Sequence, residues 1–262
     1  MATDLLVSYD ELEAQLLIRQ DDPLARAAVD AIRNGDASVL ERLLDENPGL
    51  ANARIGGEPQ TCPGGPMTRT LLHVATDWPG HFPNGAVTVA ALVAAGADVN
   101  ARFTGPHAET PLHWAASSDD VEVLDALLEH GADIEAPGAV IAGGTPLADA
   151  VAFGQWKAAR RLVECGAQTT LWQAAALGLM DRVQDLLWTS ASPPLHEITT
   201  AFWCACHGGQ RAAAEHLLGR GADMNWVGFD NLTPLDAALR SDAEELASWL
   251  RTRGAKSAQE PG

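Results

Sequence analysis

Thr110-Pro111-Leu112-His113-Trp114-Ala115-Ala116, followed by Gly131-Ala132-Asp133 at an interval of 21 residues from its threonine, is the stretch that decides the fold. The same ruler recurs along the chain. Thr145-Pro146-Leu147 precedes Gly166-Ala167, Thr200-Ala201-Phe202 precedes Gly221-Ala222-Asp223, and Thr233-Pro234-Leu235 precedes Gly254-Ala255, each at the same interval. Thr70-Leu71-Leu72-His73 reaches Gly96-Ala97-Asp98 only after 26 residues, so five have been inserted. A degenerate copy opens at Thr169-Thr170-Leu171 and has Ser190 where the glycine belongs. Self-similarity near 33 residues outranks any local propensity and points to stacked units.

Each part of the ruler has a mechanical reason. A threonine hydroxyl caps a helix by taking an orphan backbone N–H, and proline follows where a missing N–H costs nothing. The alanines after His113 let neighbouring helices approach closely. Val121-Glu122-Val123-Leu124-Asp125-Ala126-Leu127-Leu128 carries the 3.6-residue apolar period of a second, half-buried helix. Glycine then stops that helix in the left-handed conformation. One such unit cannot bury its own apolar face, whereas a stack of them can.

These motifs resemble the ankyrin repeat, with its Thr-Pro-Leu-His-x-Ala-Ala and later Gly-Ala-Asp, over roughly residues 24 to 256. The resemblance implies an all-α solenoid of seven helix-turn-helix units. Ala27 through Asn52 reads as a capping repeat, preceded by an extra amphipathic helix from Tyr9 to Arg19. The expected division is an N-terminal extension over 1–22, the solenoid over 23–256, and a disordered tail over 257–262. The family's geometry also implies a concave groove lined by one position per unit just after the His slot: Asp30, Val74, Trp114, Asp149, Gln173, Cys204 and Ala237. One helical turn later come Asp77 and His207, among others. Trp78 and Phe153 lie nearby, and the loop residues His107, Trp226 and Phe229 are expected at the groove's edge.

Composition narrows the function. Seventeen basic residues against thirty-five acidic ones leave a formal charge of -18, which argues against nucleic acid, since phosphate binding needs a basic stripe. Residues 1–140 hold 22 acidic and 7 basic side chains, so that half favours a cation or a basic protein surface. No apolar run approaches the roughly 18 residues needed to cross a bilayer, and the start lacks a basic leader. Four cysteines in 262 residues do not make a disulfide framework. The expectation is a cytoplasmic protein without membrane contact. Only Lys157 and Lys256 are lysines, and that bias toward arginine, with abundant alanine, suggests a GC-rich bacterial genome.

Ankyrin repeats hold other proteins, so the resemblance implies a non-enzymatic scaffold binding a protein or peptide, without cofactor. Departures from the pattern supply a rival. Asp149 flanked by Trp114 and Trp78 would be desolvated and suited to general acid work, with aromatic faces to stabilise a developing cation. An isomerase, cyclase or hydrolase of a small molecule would then use Asp149, Asp77 and His207. Cys204 and His207, three apart on one helix face, form a nucleophile–base pair that lacks an orienting third group. Cys206 points away from both, so no metal site is expected. His73 and His113 fill the motif's own slot and are read as structural, as are Trp172 and Trp203 in the corresponding positions of the degenerate units. Two long junctions remain: the Gly/Pro-rich Ile55–Arg69, and the insertion Asp77–Gly85, which either covers helix ends or contacts a partner.

Overall fold

The computed structural model describes residues 16–56, 67–189 and 193–258. They form two compact units, Met1–Gly143 and Gly144–Gly262. Among the described residues there are seven consecutive helix pairs, the first member of each being the inner helix of the repeat pattern and the second the outer. None of these helices is long and apolar enough to cross a membrane.

The first unit holds three pairs: α1 (Pro23–Asn34) with α2 (Ala37–Glu46), α3 (Leu71–Ala75) with α4 (Gly85–Ala94), and α5 (Pro111–Ser117) with α6 (Val121–Glu129). The threonine caps behave as the motif requires. Thr70 and His73 close a capping box at the start of α3, with the Thr70 amide donating to His73 Nδ1 at 3.3 Å. Because Nδ1 accepts, Nε2 carries the proton, and it donates to the Glu109 carbonyl at 3.1 Å. Thr110 and His113 repeat the box on α5. At the far end of α6, Gly131 takes φ 88°, its N–H reaching the Leu128 carbonyl while that of Ala132 reaches Leu127. This leaves few orphan carbonyls at the helix end. Asparagine ties successive loops together. Asn52 donates to Gly96 and accepts from the Asp98 amide, and Asn100 does the same toward Gly131 and Asp133.

This unit also contains a small sheet. β1 (Leu17–Arg19) pairs in parallel with β2 (Arg54–Gly56), which pairs antiparallel with β3 (Thr68–Arg69), and Thr68 bridges onward to Thr104. The helix expected from Tyr9 to Arg19 therefore does not run to its end. Leu17–Arg19 is extended because Ile18 buries on the sheet beside Ile55, an alternation of burial that suits period two rather than 3.6. Tyr9 to Gln15, and residues 57–66 of the long Ile55–Arg69 junction, lie outside the described residues.

The second unit holds four pairs: α7 (Pro146–Ala152) with α8 (Trp156–Glu164), α9 (Leu171–Leu177) with α10 (Met180–Thr189), α11 (Leu195–His207) with α12 (Arg211–Leu218), and α13 (Pro234–Arg240) with α14 (Glu244–Thr252). Two registers differ from expectation. In α9 the cap is Thr170, not Thr169, because Gln173 three residues on accepts from both the Thr170 amide and hydroxyl at 2.8 Å. Trp172, three after Thr169, has no acceptor to offer. Gln173 thus fills the His slot, not the groove position after it. In α11 the helix starts at Leu195 behind Pro194, so Thr200 is interior and Thr199 instead accepts the Asp223 amide, taking the role asparagine plays in the first unit. Close helix contact depends on small residues here. A Cβ on Gly208 would collide with the Ala176 carbonyl. Of the expected tail, Ser257 and Ala258 are tied by hydrogen bonds to Asp236, and residues 259–262 lie outside the described residues.

Candidate partner-binding surfaces

In the first unit, the expected groove residue Trp114 stands on the inner helix α5, half-buried. Its indole meets His73 edge-on at 5.0 Å and Phe103 at 5.4 Å. Its side chain also bonds to that of Glu109, whose carboxyl is pushed above its ordinary range by burial and drawn partly back by Trp114 and by the nearby His107. Trp114 is therefore engaged by the loop in front of its own helix. His107 is exposed on that loop. Val74, one unit earlier at the same position, is fully buried.

Asp77 and Trp78 open the insertion between α3 and α4. Asp77 is half-buried and ion-paired with Arg69 at 2.6 Å. Trp78 is 78% exposed and takes no part in the His73–Trp114–Phe103 group. The rest of the insertion is bound down. The His81 amide donates to Asp120 at 2.6 Å, His81 Nε2 lies 3.1 Å from the Ser118 carbonyl, and the Asn84 amide nitrogen donates to Gly35 at 2.8 Å. The insertion thus covers the turns on either side of it, and its tryptophan stands clear.

In the second unit the rings gather differently. Trp203, on the inner helix α11, donates its indole N–H to the Leu232 carbonyl at 2.8 Å. Leu232 immediately precedes the capping Thr233, as Glu109 precedes Thr110, so Trp203 makes the same bond that His73 makes. Phe229 meets Trp203 edge-on at 5.1 Å, Trp226 meets Phe229 at 5.9 Å, and the Arg240 guanidinium lies 5.8 Å over the Trp203 ring while pairing with Asp230. Trp226 and Phe229 come from the loop before α13. Phe229 and Phe153 remain about half exposed. His207, at the end of α11, is covered by Trp156 at 5.1 Å and Trp203 at 5.6 Å. Its Nε2 lies 3.3 Å from the Val151 carbonyl, and Nδ1 is buried with no hydrogen-bond partner among the described residues. Burial, with Arg240 nearby, holds its pKa below the ordinary histidine value.

Of the remaining expected groove residues, Asp149, Gln173 and Cys204 are buried. Asp149 is fully buried on α7, and Gln173 is occupied in the Thr170 capping box. Cys204 is buried, and desolvation pushes its thiol up to about 12. A thiol held protonated at neutral pH is the reverse of an activated nucleophile. Cys206 is pushed up in the same way. Among the described residues no group of three His, Cys, Asp or Glu side chains is placed to hold a metal ion.

Two aromatic residues have no counterpart among the expected groove positions: Trp156, which stacks on His207 from the start of an outer helix, and Phe103 behind Trp114. Both act across turns of the fold, and neither falls on a position that the repeat marks.

Comparison with known proteins agrees with this architecture. A family description, ankyrin repeats (3 copies), matches residues 28–138 and 72–171, together more than half of the chain. An ankyrin repeat and KH domain-containing protein of Caenorhabditis briggsae is 31% identical over 185 residues, covering 67% of this chain and 7% of that protein. A second protein described in the same words, from Caenorhabditis elegans, is 28% identical over 154 residues, 54% of this chain and 6% of its own length. The chain therefore spans less than a tenth of these relatives.

Proposed function

Since the chain belongs to the ankyrin repeat family, we propose that it is a non-enzymatic scaffold holding a protein or peptide against its inner helices and loops. The observation that carries this reading is the loop group of the second unit. Phe229 is held half-exposed between Trp203 and Trp226, with Arg240 over the Trp203 ring. Rigid aromatic side chains and arginine presented together at a surface are the residues that dominate binding energy in protein interfaces. In the first unit, the surplus of 22 acidic over 7 basic residues favours a basic partner.

A small-molecule enzyme built on Asp149, Asp77 and His207 gains no support from their surroundings. Asp149 is fully buried, Asp77 is neutralised by Arg69, and His207 lies under two indoles. Affinity capture with the full chain tests the scaffold reading. A partner should be retained by the wild type, released as salt rises, and lost from a Trp226→Ala/Phe229→Ala double variant of unchanged helicity. No protein above background, together with a rise in melting temperature on adding small molecules, would overturn it.

A further inference from the structure

The insertion Asp77–Asn84 is fastened by side chains to β3 and to the turns on either side of it. Asp77 holds Arg69, His81 holds Ser118 and Asp120, and Asn84 holds Gly35. Pro83 presses so closely on Gly35 that a Cβ there would collide with it. The Trp78 side chain fastens nothing. It is 78% exposed, and among the described residues its ring stacks on no other. An indole left in water contributes nothing to the fold, whereas one standing on a fastened frame loses little freedom when a partner covers it. The unit is acidic, with 22 acidic and 7 basic side chains. Asp36 and Glu122, exposed beside the anchoring turns with Arg33, are accessible to a partner, whereas Asp120 is buried and held by the His81 and Val123 amides.

We propose that Trp78 is the anchor of a docking surface for a lysine- or arginine-rich protein segment. A cationic side chain of the partner stacks on the indole face, and the unit's surplus of carboxylates draws the segment in. This deepens the scaffold reading and rests on it, but it places the contact on the insertion rather than on the loop group of the second unit.

The test is to pan a random displayed-peptide library on the full chain and synthesise the most enriched peptide. Enriched sequences should be basic and should weaken between low and physiological salt. Trp78→Ala should lower the affinity of that peptide by about tenfold or more, Trp78→Phe should restore most of it, and Phe229→Ala should leave it unchanged. Circular dichroism and melting temperature of Trp78→Ala should match the wild type, because the ring is exposed. Neutral or acidic enriched peptides, or basic ones indifferent to Trp78→Ala, would overturn the proposal while leaving protein binding by another surface standing. Enrichment no greater than on bare support would overturn the scaffold reading and this proposal with it.

Discussion

At the scale of single residues, one hydrogen bond recurs with different chemistry. His73 donates to the carbonyl before the next capping threonine, and Trp203 donates to the equivalent carbonyl with an indole. Trp203→Phe keeps the ring and removes the donor, and because the Leu232 carbonyl still accepts the Gly228 amide it should destabilise the chain by only about 1 kcal/mol in urea denaturation, the net worth of one hydrogen bond. His73 also predicts a pH dependence. Burial lowers its pKa to about 3, while in the unfolded chain it titrates near 6.5. Below that pH the unfolded state takes up a proton that the folded state refuses. The contribution is therefore full above about pH 6.5 and falls by roughly 1.4 kcal/mol per pH unit toward pH 3. His73→Gln, which can close the capping box as Gln173 does, should flatten that slope when unfolding is followed between pH 7.5 and 5. These slots were legible because a cap is local chemistry. The doublet Thr169-Thr170 offered two registers, and the Thr-x-x-Gln spacing to Gln173 was the signal that separates them.

At the scale of elements, lengths were legible and anchoring was not. The spacing from Thr70 to Gly96 revealed five extra residues, but nothing local to the insertion shows that its fastening points are Gly35, Ser118 and Asp120. Asp120 has two partners: it caps α6 through the Val123 amide and accepts the His81 amide. Asp120→Ala should therefore cost about 2–3 kcal/mol, more than loss of an ordinary cap, and should raise amide exchange across residues 78–84. Gly35 and Gly131 give a matched pair. Both need a left-handed backbone, at φ 68° and 88°, but open space surrounds a Cβ at Gly131 while Pro83 blocks one at Gly35. Gly131→Ala should cost about 1 kcal/mol, and Gly35→Ala clearly more, read from denaturant midpoints at constant slope. The start of α11 escaped the ruler because the residues between Pro194 and Thr200 continue the helix without a break, leaving Thr200 nothing to cap.

At the scale of the whole molecule, the formal charge of -18 acts on the free chain as well as on partners. Like charges repel across a folded surface, so raising ionic strength from low to physiological should raise the melting temperature by calorimetry. The same change should weaken partner binding, and this opposite response separates screening within the chain from screening between chains. The seven-unit architecture was legible because repetition averages over local irregularity. The aromatic groups were not, since Trp114–Phe103 and Trp156–His207 join residues whose spacing carries no period.

The parallel pairing of Leu17–Arg19 with Arg54–Gly56 bears on how the protein can be shortened. A cut just before Pro23 looks natural by repeat count, yet it strips off a ribbon that receives the Arg54 N–H at the Leu16 carbonyl and shields Ile55. The trimmed fragment would carry a ragged, adhesive border. Sedimentation should show it self-associating under conditions where a fragment beginning at Leu16 stays monomeric.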